Sequence, residues 1–454
     1  MARRQPDRSA AQRLALAAAL SAAATPAAAA SCDSATAQCV DLGDDRSVTL
    51  GANVRLRTMD YAPVRFGIAA DNDAYTFYRG LFHADLSSGT HWQTYVELGA
   101  HDVSGRRGGA GATDRDGLDV QQAYLGWNDE TTALRVGRQE VSLGSSRLIS
   151  VRDGPNIRLA FDGLRASRFV GDDRIDLFAL RPVRPEPGAF NDDSDRAQAL
   201  WGLHAALAPA ATAPLKIDVY WLGYRRDIAR FAAGSGREYR QSFGARLYGR
   251  HGGWDWNTEA VYQTGRFGSG SIRAWTLASD TGYTFAALYG TPRLSLKADI
   301  ASGDGDRHDD RLGTFNALYP NASYFSESSL LAPANLIDLQ PALTVTPNAK
   351  LKLTLGWDFV WKQRVADAVY TRRPRWCRYR APPAPRGASA TRSNSKAPGA
   401  SHPPGKHACS SPTSTPVRHC AKPADATCAS CRRRWCTPGR YIPSRCGQTV
   451  GSVR

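Results

Sequence analysis

Strict alternation of apolar and polar residues is the feature that most limits what this chain can fold into. In the segment KLKLTLGWDFVWK, residues 350–362, large apolar side chains take every second position from Leu351 to Trp361. Lysine, threonine and aspartate take most of the remaining positions. Because successive side chains of a strand point to opposite faces, the pattern predicts a β-strand with one apolar and one wet face.

The same period recurs between residues 40 and 370. Clear examples are SVTLGANVRLR, HWQTYVELGA, LKIDVYW, SFGARLYG, WDWNTEAVYQ and RLSLKADIA, which begin at residues 47, 91, 215, 242, 254 and 293. About fifteen such segments are predicted, each close to the length of a tilted membrane strand. No amphipathic helix of ordinary length and no apolar run near the roughly 18 residues of a membrane helix is predicted among them.

Two architectures fit this pattern: a soluble sandwich, or a closed barrel whose apolar face meets lipid. So many strands without a covering helix would leave open sheet edges, and closure removes those edges. In a membrane barrel the apolar faces meet hydrocarbon, the charged faces line a lumen, and Trp and Tyr lie near the ends. We therefore predict an all-β fold, a large antiparallel transmembrane β-barrel over residues 47–370. Because bacterial barrels have an even strand number, at least one closing strand is expected beyond the fifteen.

The N-terminus is consistent with export. Residues 1–30 combine early arginines, a Leu/Ala run and a small-residue cleavage site, which predicts a secretory signal peptide. Residues 31–46 form a mature N-terminal segment in which Cys32 and Cys39 are expected to form a disulfide in an oxidising compartment. The predicted location is the bacterial outer membrane.

Residues 371–454 differ from the rest of the chain. They hold 17 Lys and Arg against the single acid Asp425, which accounts for the whole net charge of +16 and leaves the body neutral, without a charge that would call for a nucleic-acid partner. One interpretation is a disordered basic tail rich in Cys, Pro and Arg. Others are a zinc knuckle, an RNA-binding arm on CRRRWC, or an out-of-frame translation that replaces lost closing strands. An oxidising compartment disfavours zinc-binding thiols.

The charged side of the strands indicates what the lumen would accept. A surplus of arginine there favours anions, because guanidinium groups bind carboxylates bidentately and rings of like charge select the opposite sign. The alternative is that these charges only pair with one another and stiffen the wall. The bases predicted to point inward are Arg55, Arg57, Arg79, Arg135, Arg165, Lys216, Arg240, Arg246, Arg293, Lys297, Lys352 and Lys362, and the acids are Asp85, Glu97, Asp218, Asp255, Glu259, Asp299 and Asp358.

Several longer motifs occur in one order between residues 41 and 370, among them VGRQEVSLGSSRLISVRDGPNIRLAFDGLRA, WDWNTEAVYQTGRFG, KADIASGDGD and YFSESSLLAPANLIDLQP. Together they resemble the alginate export family of outer-membrane proteins. The resemblance implies a monomeric barrel of about eighteen strands that passes an anionic polysaccharide outward through an Arg-lined constriction, with periplasmic export or synthesis machinery as a possible partner. By motif position it implies constriction or loop roles for Arg138, Arg147, Arg152, Arg158 and Arg165, and further roles for Arg246 and Arg273.

Three competing functions are weighed. A porin for small anionic saccharides fits the same pattern, whereas an outer-membrane hydrolase would need catalytic groups at the rim, and no Gly-x-Ser-x-Gly elbow or phosphate-cradling loop occurs. A nucleic-acid binder would have to use the basic tail alone. No enzyme activity, cofactor or metal is expected. The loop GDGDRHDD, with Asp304, Asp306, Asp309 and Asp310, could bind calcium, although a solvated acidic loop is the favoured interpretation.

Overall fold

The computed structural model describes residues 39–61, 73–209, 214–324 and 331–370, together with the backbone of 376–379 and 407–409. Within these ranges strands dominate, and a 3₁₀ helix spans Ala322–Tyr324. None of the described helices is long and apolar enough to cross a bilayer. The strands are β1 (Cys39–Gly43), β2 (Arg46–Tyr61), β3 (Asp73–Ser88), β4 (Trp92–Ser104), β5 (Asp116–Asn128), β6 (Thr132–Gln139), β7 (Phe161–Val170), β8 (Asp173–Arg184), β9 (Asp193–Ser194), β10 (Gln198–Leu207), β11 (Leu215–Phe231), β12 (Gly234–His251), β13 (Trp254–Phe267), β14 (Gly270–Thr284), β15 (Arg293–Ala301), β16 (Arg311–Leu312), β17 (Leu336–Asn348), β18 (Leu351–Gly356), β19 (Phe359–Trp361), β20 (Val369–Tyr370), β21 (Trp376–Tyr379) and β22 (His407–Cys409).

Nineteen of these strands form one sheet, in which every pairing is antiparallel except that of β14 with β16. Each strand from β2 to β8 pairs with the next, β8 pairs with β10, and the order continues through β15, β17 and β18. Strand β19 continues β18 along β17, so the two act as one wall strand. The wall therefore has fifteen full strands, as the alternation predicts. No pairing joins β18 or β19 to β1 or β2 within the described residues, and the expected closing strand has no counterpart among them.

The C-terminal prediction needs one correction. The sequence predicts no strand beyond residue 370, yet β21 pairs with β20, and β22 pairs with β21, in a small separate sheet. The predicted signal peptide and residues 31–38 of the segment 31–46 lie outside the described ranges, as does most of the tail. Cys39 is disulfide-bonded. The proposed partner, Cys32, also lies outside the described ranges, so the pairing stays a prediction.

The two faces of the wall follow the predicted alternation. On β2, Val54 is 78% exposed and shares the outer face with Leu56. Arg55 and Arg57, which alternate with them, are partly covered. In the segment at residues 350–362, Leu355, Trp357, Phe359 and Trp361 are all exposed large apolar groups. These side chains have no protein layer against them, which is the arrangement of a wall that faces hydrocarbon.

An aromatic row crosses four neighbouring strands on the outer face. Trp221 of β11 lies opposite Phe243 of β12, which lies opposite Tyr262 of β13, and Tyr262 lies opposite Trp275 of β14. All four rings are exposed. Cross-strand neighbours on one face are about 5 Å apart, so the rings form a continuous apolar band rather than isolated surface residues.

The two ends of the wall differ in their connections. One end carries short turns, such as residues 171–172 and 252–253, and the other carries the loops at residues 140–160 and 185–192 and the described residues 302–324 and 331–335. Outer-membrane barrels have short periplasmic turns and longer extracellular loops. We therefore take the end with the long loops as extracellular.

Two of these loops fold into the interior, which differs from the prediction of charged, hydrated faces along the whole lumen. Residues 140–160 form the first inward loop, and the described residues 302–324 and 331–335 form the second inward loop. They meet at a bridge between Ile149 and Tyr319, and the Tyr319 ring packs edge-on against Phe161 at 5.2 Å. Leu148, Phe315 and the inner faces of β7 to β15 complete a buried apolar cluster. One side of the extracellular half is therefore filled rather than hydrated.

The outward aromatic band predicts that a charged residue placed on the outer face lowers the stability of the barrel more near the middle of the membrane than near its edge. Replacing Leu277 with arginine places a cation on the outer face of β14, one step beyond Trp275, and should destabilise the barrel by about 2–4 kcal/mol because the group must enter hydrocarbon. Val170→Arg, beside the turn after β7, is the matched control and should cost about 1 kcal/mol or less. Urea titrations of both variants refolded into vesicles measure the difference. Equal costs at the two positions would contradict a membrane-facing wall.

Candidate functional site: the arginine-lined inner wall

Three arginines on β2 and β3 form hydrogen bonds with the tip of the first inward loop. Arg79 donates to Asp153 Oδ1 at 2.7 Å, and Arg55 donates to Asp153 Oδ2 at 3.2 Å and to the Pro155 carbonyl at 2.9 Å. Arg57 donates to the carbonyl oxygen of residue 154 at 3.2 Å. The alternation of β2 and β3 brings these guanidinium groups to one side, and together they hold the loop against that wall.

A second contact holds the same loop to β4. Arg158 donates to Glu97 Oε1 at 2.8 Å and lies 2.8 Å from Glu140 Oε1. Burial raises the pKa of Glu140 to about 7, although the nearby Arg158 acts in the opposite direction. Glu140 stands next to the end of β6, so its charge changes within the neutral pH range at the edge of the inner wall.

The inner wall of β6 to β8 carries more bases than acids. Arg135 lies directly opposite Arg165 across the β6–β7 pair. Asp176 accepts from Arg165 at 3.0 Å and from Arg174 at 2.9 Å, while the Arg135 guanidinium stacks 4.9 Å from the centre of the Tyr124 ring. Two guanidinium groups therefore share one carboxylate, and a third, that of Arg135, lies on the neighbouring strand. This surplus is the strongest local feature for attracting an anion.

Arg147 connects the two inward loops to the wall. Its guanidinium is 5% exposed and donates to Glu259 Oε2 of β13 at 3.0 Å, and it also donates to the hydroxyl of Tyr324 in the second loop. Tyr324 in turn donates to Asp299 of β15 at 3.1 Å and accepts at its carbonyl from Lys297 at 2.6 Å. Four separate segments meet through this one set of polar contacts.

Two further predicted bases pair inside the lumen. Arg246 of β12 donates to Asp218 at 2.8 Å and to Asn257 at 2.8 Å. Arg152 donates to the Leu318 carbonyl at 3.2 Å and its guanidinium lies 5.3 Å from the Tyr319 ring centre, so it bridges the inward loops. Both residues point inward, yet both are engaged by protein groups.

Two arginines predicted from motif position lie elsewhere. Arg273 is exposed on β14 in the same phase as Trp275 and Leu277, which is the outer face, so it does not line the lumen. Arg138 falls in the outward phase of β6 and pairs with Asp162 at 2.9 Å beside the loop at residues 185–192. Strand parity, which motif position ignores, decides both outcomes.

Sequence reasoning missed the loop residues that complete the site. Asn156 is fully buried, and its amide donates to the backbone carbonyls of Tyr78, Asp102 and Asp114 at 2.9–3.0 Å. Asp153, Asn156 and Tyr324 all lie in loops, where no period marks an inward-facing position. The only usable signal was the polar, glycine- and proline-containing composition of RDGPN, which indicates an ordered turn.

Removing Arg147 should release the inward loops. Arg147→Ala leaves the buried Glu259 without its cation, a change that typically costs about 3–5 kcal/mol. We expect a lower thermal midpoint in detergent and a larger, noisier single-channel conductance. Arg184→Ala, which breaks an exposed pair with Glu186, is the control and should change neither quantity. Unchanged conductance in Arg147→Ala would show that the loops do not depend on this contact.

Glu140 predicts a pH dependence. Its pKa rises from 4.5 to about 7 in the folded chain, so the docked loop binds a proton that the exposed loop would lose. Docking should therefore weaken as pH rises from about 4.5 to 7, and anion selectivity should fall as Glu140 becomes charged. Reversal potentials between pH 5 and 8 measure this, with Glu140→Gln expected to give a flatter profile. The exposed-site change Glu186→Gln should keep the native profile, and a native slope in Glu140→Gln would refute the assignment.

Comparison with solved structures finds porins. A BenF-like porin from Pseudomonas fluorescens Pf-5 is 12% identical with a TM-score of 0.47, covering 73% of this chain and 86% of that chain. Pseudomonas aeruginosa OccK2 (OpdF) in complex with glucuronate is 12% identical, with a TM-score of 0.46 and coverage of 73% and 84%. Acinetobacter baumannii OccAB1 is 11% identical, with a TM-score of 0.45 and coverage of 73% and 83%. These scores are too low to add to what the strand ladder shows.

The sequence comparison is more specific. No curated protein matches this chain. The family model for alginate export matches residues 46–395, which includes every wall strand from β2 to β19 and extends past residue 370. With its all-β wall, its outward apolar face and this match over most of its length, the chain belongs to the alginate export family and is an outer-membrane channel protein.

Proposed function

We propose that the channel passes an anionic polysaccharide such as alginate across the outer membrane. The observation that carries the proposal is the base-rich inner wall of β6 to β8, where Arg165 and Arg174 share the carboxylate of Asp176 and Arg135 lies opposite Arg165 on the neighbouring strand. A polyuronate presents one carboxylate per sugar, and guanidinium groups bind carboxylates through paired hydrogen bonds. As the polymer moves, each sugar carboxylate can pass from one arginine to the next.

Transport requires that these contacts stay weak. Asp176 already accepts from Arg165 and Arg174, and Glu97 and Glu140 pair with Arg158, so these three bases have a protein acid to return to when the substrate leaves. Binding must be favourable enough for entry and weak enough for release. The paired acids thus set the residence time of the substrate, and the passage is passive, without a catalytic step.

A porin for small anionic saccharides is the second candidate. The specific observation in its favour is that the two inward loops fill part of the lumen through the buried cluster around Ile149 and Tyr319. A narrowed path suits a short saccharide, whereas a polymer would need the loops to move aside. The two candidates differ in the length of the substrate that passes.

Planar-bilayer recording tests the anion path. The double variant Arg135→Gln, Arg165→Gln should lower the anion-to-cation permeability ratio several-fold and weaken block by an oligouronate about tenfold, because two of the three bases near Asp176 lose their charge. Arg225→Gln, which removes a partly exposed charge on the outer phase of β11, is the matched control and should leave both values unchanged. Cation selectivity of the native channel would overturn the proposal.

Substrate length separates the two candidates. Vesicles containing the native protein should release long polyuronate chains if the channel serves a polymer, and only oligomers if it is a small-saccharide porin. A neutral polysaccharide of equal length is the control, and its equal passage would argue against recognition by charge.

A further inference from the structure

Three carboxylates gather where β5 meets the loop at residues 185–192. Oxygen atoms of Asp116, Asp119 and Asp192 all lie within 4.8 Å of one another. Asp116 and Asp119 are 3% and 4% exposed. This group differs from the GDGDRHDD loop considered from the sequence, where Asp306 and Asp309 instead accept from nearby backbone N–H groups.

One oxygen in the cluster has no partner. Asp116 Oδ1 is buried and accepts no hydrogen bond from any residue in the described part of the chain. A buried carboxylate oxygen left in this state costs free energy unless a proton or a cation meets it. Two further carboxylates, those of Asp119 and Asp192, lie beside this carboxylate. Their negative charge adds to the free energy that a bound cation would recover.

The nearest arginine is already committed. Arg138 pairs with Asp162 through Nε at 2.9 Å and through a second nitrogen at 3.3 Å. Its contact with Asp192 goes to the backbone carbonyl at 3.2 Å and not to the carboxylate. Among the described residues, none of the three carboxylates therefore has an ion pair of its own, and Arg138 acts on Asp192 only from nearby.

The surrounding backbone fixes the cluster in place. Asp119 Oδ2 accepts from the backbone N–H groups of Asn191 and Asp192 at 2.7 and 3.1 Å, and Asp192 Oδ1 accepts from the N–H of Glu186 at 2.7 Å. The close approach requires glycine at position 117, because a Cβ there would lie 1.7 Å from the carbonyl oxygen of residue 188. The carboxylates are thus held before any ion arrives.

We propose that Asp116, Asp119 and Asp192 bind a calcium ion that ties the loop at residues 185–192 to β5. Calcium takes oxygen ligands at about 2.3–2.6 Å, so oxygens on opposite sides of the ion stand about 5 Å apart, which accommodates the observed spread. Magnesium prefers about 2.0–2.1 Å and strict octahedral geometry. The site lies apart from the β6–β8 inner wall, and its role is to fix an extracellular loop, independently of what the channel carries.

Isothermal titration of the full chain refolded in detergent tests the site, with calcium chloride as the probe. We expect one saturable site with a Kd of about 10⁻⁴–10⁻³ M, the range of extracellular calcium modules, and weaker binding of magnesium. Asp116→Asn, which keeps the shape and removes one charge, should weaken calcium binding about tenfold or more. Asp309→Asn in the other acidic loop is the matched control and should bind calcium as the native protein does.

Trypsin gives a readout that does not depend on heat. Arg196 follows the loop at residues 185–192, and calcium should slow cleavage after it in the native protein but not in Asp116→Asn. Heat-modifiable migration on gels verifies that each variant has folded. Absence of saturable calcium binding by the folded native protein, or native affinity in both Asp116→Asn and Asp192→Asn, would overturn the proposal, whatever the transport assays show.

Discussion

The absence of water in the hydrocarbon layer is the constraint on which the rest of this structure depends. Every backbone N–H and C=O group in that layer must find a partner in the protein, and an antiparallel ladder provides one on each side of every interior strand. Once the ladder is fixed, side chains alternate between lipid and lumen. The outward aromatic band and the inward arginines are therefore two results of one backbone arrangement.

The sequence was sufficient to predict the strands and the face of the wall on which each strand side chain lies, because both follow from the two-residue alternation. Alternation predicted fifteen wall strands, the outward position of Leu355, Phe359 and Trp361, and the inward position of Arg79 and Arg165. Motif position was a weaker guide, because it ignored strand parity and so placed Arg138 and Arg273 in the lumen. A shift of one residue along a strand moves a side chain to the other face.

The contents of the lumen could not be predicted in this way. Loops have no period, so nothing in the local pattern showed that the described residues of the two inward loops would enter the lumen and pack on one another. Their contacts are also long-range: Asn156 donates to carbonyls 42 to 78 residues earlier in the chain, and Arg147 contacts Tyr324 across 177 residues. A single sequence does not reveal such pairs, although the apolar residues of each loop were visible.

Arg147 is in contact with the wall through Glu259 and with the second loop through Tyr324, while its own backbone belongs to the first loop. Neither loop can leave the interior without losing the contact that also holds the other. Their release should accordingly be cooperative, with few states in which just one of them has moved. A channel built this way would switch between two discrete bores instead of widening gradually, and the loss of Arg147 would shift the balance between them.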